Sequence, residues 1–294
     1  MEHRLLISRR RLLLAGAGSV ALVACGGGRT DPQTATTAGE GDGDGLTLAP
    51  VFLREQPAGV EVRLPLAVAD ASGVVVDDVP PEITVRVGPA DTGELGEPVV
   101  VERHDRGVPR PYFPLLTTFD EPGNWRIAAD VDGRPAEMVL AARPPSEVPA
   151  VPVVGEPMIS LPTPTVEDPR GVDPICTAEP PCPLHEVSLD AAIAGDRPVA
   201  LLVATPAFCQ TAICGPVLDL LVDRRPDYAE RITMIHAEVY TDDSAGEPTD
   251  VVKAYGLVWE PSLFLAGPDG TITHRLDYTY DATELDAALA SLAG

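Results

Sequence analysis

The chain has 294 residues, 45% of them hydrophobic and only 4% aromatic, so it is long enough for about two domains with separate cores. Its formal net charge of -24 at pH 7 argues against nucleic acid and anionic membrane surfaces as partners, because both would repel it. The sequence has five cysteines, and those after the first form two close pairs, which points to thiol chemistry.

The first 25 residues have the pattern of an export signal. Arg9 and Arg10 precede an apolar run at residues 12–24, and Cys25 follows three small or apolar residues. The run is about thirteen residues long, whereas a membrane-spanning helix needs roughly 20. The segment resembles a bacterial twin-arginine lipoprotein signal peptide, which implies that Cys25 is lipidated and that the protein is anchored at the extracytoplasmic face of the cell membrane. A signal-anchor helix is the alternative.

Residues 26–45 are rich in Gly, Thr and Asp and have almost no large apolar side chains. Such a segment cannot bury a core, so we predict a flexible tether. A random coil of about 20 residues spans roughly 25 Å on average, which would hold the following domain away from the lipid headgroups.

Residues 46–143 alternate apolar and polar side chains with a period of two, as half-buried antiparallel strands do. Turn sequences separate these strands at a spacing typical of a β-sandwich. Residues 112–133 resemble the late strands of an immunoglobulin-like domain, so we predict an all-β immunoglobulin-like sandwich with a spacing or docking role. This region has one histidine, His104, and a single ligand is too few for a metal site. A proline-rich linker is predicted at residues 144–154.

Residues 155–294 change to strands that alternate with helices. The resulting order is β, α, β, α, β, β, α, which predicts an α/β layer. The predicted strands are residues 199–205, 233–240, 262–266 and 271–276, and the predicted helices are residues 213–222, 249–255 and 283–292.

Two segments in this region carry a family resemblance. An apolar strand at residues 199–205 leads through Phe208 to Cys209, with Pro216 further on, and Pro261 begins a later strand. These segments resemble the thioredoxin superfamily, in particular its membrane-anchored thiol–disulfide oxidoreductases, over residues 155–294. The resemblance implies an α/β thioredoxin-like C-terminal domain in which Cys209 attacks a disulfide, Cys214 resolves the intermediate and a cis-Pro261 shapes the substrate groove.

The cysteine spacing departs from that family. Four residues separate Cys209 from Cys214 instead of two, and residues five apart in a regular helix have Cα atoms beyond disulfide reach. We therefore expect Cys209 in the loop before the helix, or a distorted first turn. A helix N-terminus near Cys209 would lower its pKa and favour the reactive thiolate. No buried acid precedes the motif, since Val203 occupies that neighbourhood. A one-thiol motif at residues 214–217 is the alternative alignment.

The second pair, Cys176 and Cys182, encloses a short proline-rich loop. We predict a structural disulfide, because rigid short loops close readily and exported proteins meet an oxidising environment. A redox relay with Cys209 is the alternative. All three pairings of the four cysteines remain open.

Three histidines raise a metal hypothesis: His185, His236 and His274. Copper-delivering relatives of thioredoxin bind Cu(I) with two cysteines and a distant histidine, so Cys209, Cys214 and His274 are weak copper candidates. A peroxidase is less well supported, because Pro206 stands where peroxiredoxins have a threonine.

The sequence as a whole predicts a cell-envelope thiol–disulfide oxidoreductase. Its expected partners are exported cysteine-containing proteins and, through the lipid anchor, the membrane. No cofactor and no nucleic acid are expected. The alternatives are a non-catalytic lipoprotein scaffold with structural disulfides and a copper-delivery protein.

Overall fold

The computed structural model describes residues 45–294. The twin-arginine signature, the lipidation candidate Cys25 and residues 26–44 of the tether lie outside the described residues. Over the described range, none of the helices has the length and apolar character needed to cross a membrane.

Strands between Leu46 and Arg143 form two sheets that share one core. One sheet has the order β1-β3-β6 and the other the order β2-β8-β7-β4-β5. Inward side chains of both sheets, such as Leu64 and Ile127, meet in one buried cluster. This part of the chain is an immunoglobulin-like β-sandwich. The strands are β1 (Leu46–Pro50), β2 (Glu55–Pro57), β3 (Glu61–Asp70), β4 (Glu82–Pro89), β5 (Val99–Glu102), β6 (Phe113–Thr118), β7 (Gly123–Val131) and β8 (Arg134–Arg143).

The hairpin between β7 and β8 shows how local sequence sets the register. Asp132 and Gly133 have φ values of 54° and 77°, the left-handed conformation that a two-residue type I′ turn requires. The Asp130 side chain accepts a hydrogen bond from Gly133 N at 2.6 Å, which supports the turn. Val131 consequently pairs with Arg134, and the alternating apolar side chains of both strands face the core.

A second sheet forms in the C-terminal part, with the order β10-β9-β11-β12. Strands β9 and β10 are parallel, whereas β11 is antiparallel to both β9 and β12. Apolar clusters cover both faces of this sheet. Its elements are α1 (Leu189–Ile193), β9 (Val199–Val203), α2 (Cys214–Tyr228), β10 (Thr233–Ala237), α3 (Asp250–Tyr255), β11 (Ser262–Ala266), β12 (Ile272–Asp277) and α4 (Ala282–Ala293).

The expected fold class, with an α/β thioredoxin-like C-terminal domain, is wrong. The structure is about 34% strand and 16% helix, a helical content too low for that domain. Helices α1 and α3 have only 5 and 6 residues. Chain without regular structure supplies part of the cover that longer helices would give, as Val151 and Met158 do on one face of the sheet.

The start of α4 is bound to the sandwich through Arg63 of β3. Its guanidinium donates to the two carboxylate oxygens of Glu284 at 2.7 and 2.5 Å, and the Tyr112 hydroxyl donates to the same carboxylate. Arg63 also donates to the backbone oxygens of Asp277 and Thr279, at 3.1 and 2.7 Å. Arg63 thus makes four hydrogen bonds from a largely buried guanidinium, and they join the two parts of the chain.

Asp281 caps α4 and connects it to the sandwich a second time. Its side chain accepts hydrogen bonds from the backbone N–H groups of Thr283 and Glu284, which satisfies two free donors of the first turn. The same carboxylate contacts His104 Nδ1 at 2.8 Å and accepts from Arg106 N at 3.1 Å. The histidine that seemed isolated in the sequence therefore has a structural partner.

Candidate functional site

Cys209 and Cys214 meet at the beginning of α2. Cys209 lies in the loop before the helix, and Cys214 is the first helical residue. The backbone N–H of Cys214 donates to the sulfur of Cys209 at 3.3 Å, although the two are 5 positions apart. Ala212 takes a left-handed φ of 55°, which turns the intervening chain back toward the helix. The loop therefore provides the proximity that a regular helix would prevent.

The pKa values of the two thiols in this pair are shifted in opposite directions. The pKa of Cys209 is lowered to about 5, because the Cys214 thiol donates a hydrogen bond to its thiolate, with further help from Thr211 and the Cys214 N–H, while burial opposes the shift. The pKa of Cys214 is raised by the same hydrogen bond and by burial. These shifts favour the thiolate of the half-buried Cys209 and the neutral thiol of the buried Cys214 at neutral pH.

Glu260 completes this site. A carboxylate oxygen of Glu260 and both sulfurs lie within 4.8 Å of one another. Burial raises the pKa of Glu260 to about 7, with added repulsion from Cys209 and Glu238. Its Oε2 is buried without a hydrogen-bond partner. From the sequence an acid was sought near Val203, and Glu260, which lies two residues before the start of β11, was missed.

Of the other residues predicted from the sequence, Pro261 adjoins this site and His274 does not. Pro261 follows Glu260, and the peptide bond between them is cis. His274 lies on β12, where its Nδ1 contacts the Thr273 hydroxyl at 3.1 Å. Among the described residues, His274 belongs to no group of clustered ligand atoms, so the copper set with Cys209 and Cys214 is not brought together.

A second cluster contains Cys176, Cys182, His185 and His236. Their ligand atoms all lie within 4.8 Å of one another. Cys182 Sγ is 3.3 Å from His185 Nε2 and 3.4 Å from His236 Nδ1, and the two histidine nitrogens are 3.3 Å apart. Both cysteines are free thiols in this structure, so the predicted disulfide is not formed here. Hydrogen bonding from Cys182 lowers the pKa of Cys176 and raises that of Cys182.

The two cysteine clusters are neighbours. Thr177 follows Cys176, and its N–H and hydroxyl donate to Glu238 Oε1 at 2.6 and 2.9 Å. The same hydroxyl accepts a hydrogen bond from the N–H of Ala207, in the loop that carries Cys209. This contact joins the loop of the second pair to the loop that carries Cys209, whereas the sulfurs of the two pairs belong to separate clusters.

No family model and no curated protein match the chain. Among solved structures, it is similar to the Lin-41 filamin domain at 15% identity and a TM-score of 0.24, over 35% of this chain and 95% of that one. A CARDB domain from Pyrococcus furiosus, crystallised with di-metal ions, matches at 15% identity and a TM-score of 0.21, covering 34% and 86%. A PKD domain of a human VPS10 domain-containing receptor matches at 18% identity and a TM-score of 0.19, over 45% of this chain and 100% of that one.

Proposed function

We propose that the protein carries out thiol–disulfide exchange on exported proteins through Cys209 and Cys214. The observation that carries this proposal is the contact of the half-buried Cys209 sulfur with the first N–H of α2, beside the buried thiol of Cys214. This chemistry depends on the side chains of the site and not on the fold class.

The chemistry begins with the Cys209 thiolate. It attacks one sulfur of a client disulfide, so that a bond forms between Cys209 and the client while the client disulfide breaks. The leaving client sulfur departs as a thiolate and takes a proton from water. Because Cys209 ionises well below neutral pH, its attack at pH 7 requires no base.

Cys214 then resolves the mixed disulfide. Its thiol transfers a proton to the Glu260 carboxylate, and the resulting thiolate attacks the Cys209 sulfur. A Cys209–Cys214 disulfide forms, and the second client sulfur leaves as a thiolate. Two electrons have moved from the cysteine pair to the client, and the reverse sequence would oxidise a client instead. A pKa near 7 suits Glu260 to carry this proton in either direction.

We also propose that the protein is exported and held at the membrane by a lipid anchor. The paired arginines Arg9 and Arg10 and the cysteine at position 25 support export and lipid anchoring at the extracytoplasmic membrane face. Labelling of the full chain with a fatty-acid analogue is expected to mark the wild type and to fail in a Cys25→Ala variant. Equal labelling of both would contradict the anchor.

Insulin reduction by dithiothreitol, with and without the protein, tests the activity. We expect the wild type to accelerate the reaction and Cys209→Ser to abolish the acceleration. Cys214→Ser should instead accumulate a mixed disulfide between Cys209 and insulin. A structural pair would show no turnover and a reduction potential below about -300 mV, and this result would favour the scaffold alternative.

A further inference from the structure

We propose that Cys176, Cys182, His185 and His236 bind one zinc ion. This site is separate from the Cys209 pair and does not require that Cys209 be active. Both histidines raised a metal hypothesis from the sequence, whereas Cys176 and Cys182 were predicted to form a structural disulfide, with a redox relay as the alternative.

The separations between the four ligand atoms fit a tetrahedral ion. With Zn–S near 2.3 Å and Zn–N near 2.0–2.1 Å, tetrahedral geometry places two nitrogens about 3.3 Å apart and a nitrogen and a sulfur about 3.5 Å apart. The histidine nitrogens here are separated by 3.3 Å. The measured S–N distances are 3.3, 3.4 and 3.8 Å. A central ion would thus require only small shifts of the side chains.

Both imidazoles are aimed at the cluster. His236 is fully buried, and its Nε2 lies 3.1 Å from the backbone oxygen of Ala204, which leaves Nδ1 as the atom that faces the sulfurs. Anchoring of the far ring nitrogen by a backbone oxygen is the usual support of a metal-binding histidine. His185 is 2% exposed, and its Nε2 faces the cluster while its Nδ1 has no partner.

Four ligand atoms around one point, three of them from buried residues, are poorly explained without a cation. Thiols are weak donors, and each neutral imidazole has one N–H to donate, so converging lone pairs on sulfur and nitrogen cannot all be satisfied by one another. A zinc ion with two thiolates and two imidazoles is electrically neutral, which suits a buried position. A set of two sulfurs and two nitrogens in tetrahedral arrangement is typical of zinc.

The ion would hold an irregular segment against the sheet. Cys176, Cys182 and His185 belong to a stretch without regular secondary structure, whereas His236 lies on β10. Four ligands leave no open position, so the site is structural. Binding releases the two thiol protons and excludes a Cys176–Cys182 disulfide, because both sulfurs must be thiolates.

Cobalt(II) titration of the reduced, metal-free full chain tests the proposal, since cobalt reports tetrahedral thiolate coordination by its visible and near-ultraviolet bands. We expect saturation at one cobalt per chain and loss of the bands when zinc is added. The bands should persist in a Cys209→Ser/Cys214→Ser double variant and disappear in Cys182→Ser and in His236→Ala.

A second measurement uses the wild type alone, so it does not depend on whether a variant folds. In the wild type, zinc should protect Cys176 and Cys182 from alkylation at least tenfold while Cys209 continues to react, as followed by peptide mass spectrometry. Absence of tetrahedral bands, loss of the bands in the Cys209/Cys214 double variant, or equal alkylation with and without zinc would each overturn the proposal.

Discussion

The hydroxyl of Thr177 accepts a hydrogen bond from the backbone N–H of Ala207 at 3.1 Å. It is also 2.9 Å from Glu238 Oε1, to which it donates. One side chain therefore fastens the segment that follows Cys176 to the loop that leads to Cys209. The position of the reactive sulfur depends on this contact as well as on α2.

Thr177→Val should loosen the Cys209 loop, because valine offers neither a donor nor an acceptor. A hydrogen bond of about 1 kcal/mol corresponds to about a fivefold change in the opening equilibrium. We expect amide exchange at Ala207 to accelerate by about that factor. Thr118→Val, at an exposed position in β6, is the matched control and should leave this exchange unchanged. Unaltered exchange at Ala207 in the Thr177 variant would show that the contact has no effect.

Cys214→Ala should raise the pKa of Cys209, because it removes the thiol that stabilises the Cys209 thiolate. In the reduced wild type, alkylation of Cys209 should rise with pH around a midpoint near 5. The midpoint should move toward higher pH in the alanine variant and much less in Cys214→Ser, which keeps a hydroxyl donor. Peptide mass spectrometry separates Cys209 from the other thiols. Identical midpoints in the alanine variant and the wild type would refute this account.

Glu260→Gln should slow the resolving step, because glutamine cannot accept the Cys214 proton. Loss of a positioned base costs about 100-fold or more. In the wild type, release of the second client thiol should show an inflection at the pKa of Glu260, which burial raises above its ordinary value of 4.5, and the variant should lose this inflection. Rapid-quench analysis of a preformed mixed disulfide measures this step. Glu230→Gln, at an exposed position, should behave as the wild type. Persistence of the inflection in the Glu260 variant would exclude this role.

Arg63→Ala should lower the free energy of unfolding by about 3 kcal/mol, because removing one partner leaves the Glu284 carboxylate poorly compensated. Urea denaturation provides the measurement. Arg110→Ala is the control, since its ion pair with Asp77 is more than half exposed and should be worth at most about 1 kcal/mol. Equal effects of the two substitutions would contradict the structural role of Arg63.

The contact between His104 and Asp281 should make the free energy of unfolding depend on pH, with one loss at alkaline pH and another at acidic pH. The hydrogen bond that His104 donates to Asp281 raises the pKa of His104, so the contribution of His104 to stability is complete below the ordinary value of 6.5 and is lost as pH rises through the folded-state pKa. Burial opposes ionisation of Asp281, but hydrogen bonds from His104 and the backbone lower its pKa to about 2. Its contribution is therefore complete above the ordinary value of 3.8 and is lost as pH falls toward 2.

Urea midpoints measured between pH 3 and 9 should thus show the largest contribution of this pair between about pH 4 and 6.5. His104→Ala should remove the decline on the alkaline side. His274→Ala is the control, because burial lowers the pKa of His274 and its contribution has the opposite sign. A decline that survives in the His104 variant would assign it to another group.

Strands and helices could be predicted where an apolar run ended at clear boundary residues. Residues 262–266 were predicted as a strand, and β11 covers Ser262–Ala266, because Pro261 and Gly267 delimit a short apolar run. The helix at residues 213–222 was predicted too short, since α2 continues to Tyr228. Charged residues and Pro226 weaken the periodic signal there, while Arg224 pairs with Asp286 of α4 and supports the added turns.

Sites built by tertiary contact were less predictable. His185 and His236 are 51 positions apart and come together only when an irregular segment packs on β10. Glu260 was missed because the resemblance directed attention to Val203, at the end of β9. The order of elements also suggested a fold class that the short helices α1 and α3 do not support.

The strand that carries Arg63 also pairs with β1 along five registered positions, from Leu46 to Pro50. Loss of β1 would therefore leave the backbone groups of β3 unpaired along one edge of the sheet, so a shortened chain that is to keep this fold has to retain Leu46 and the residues after it.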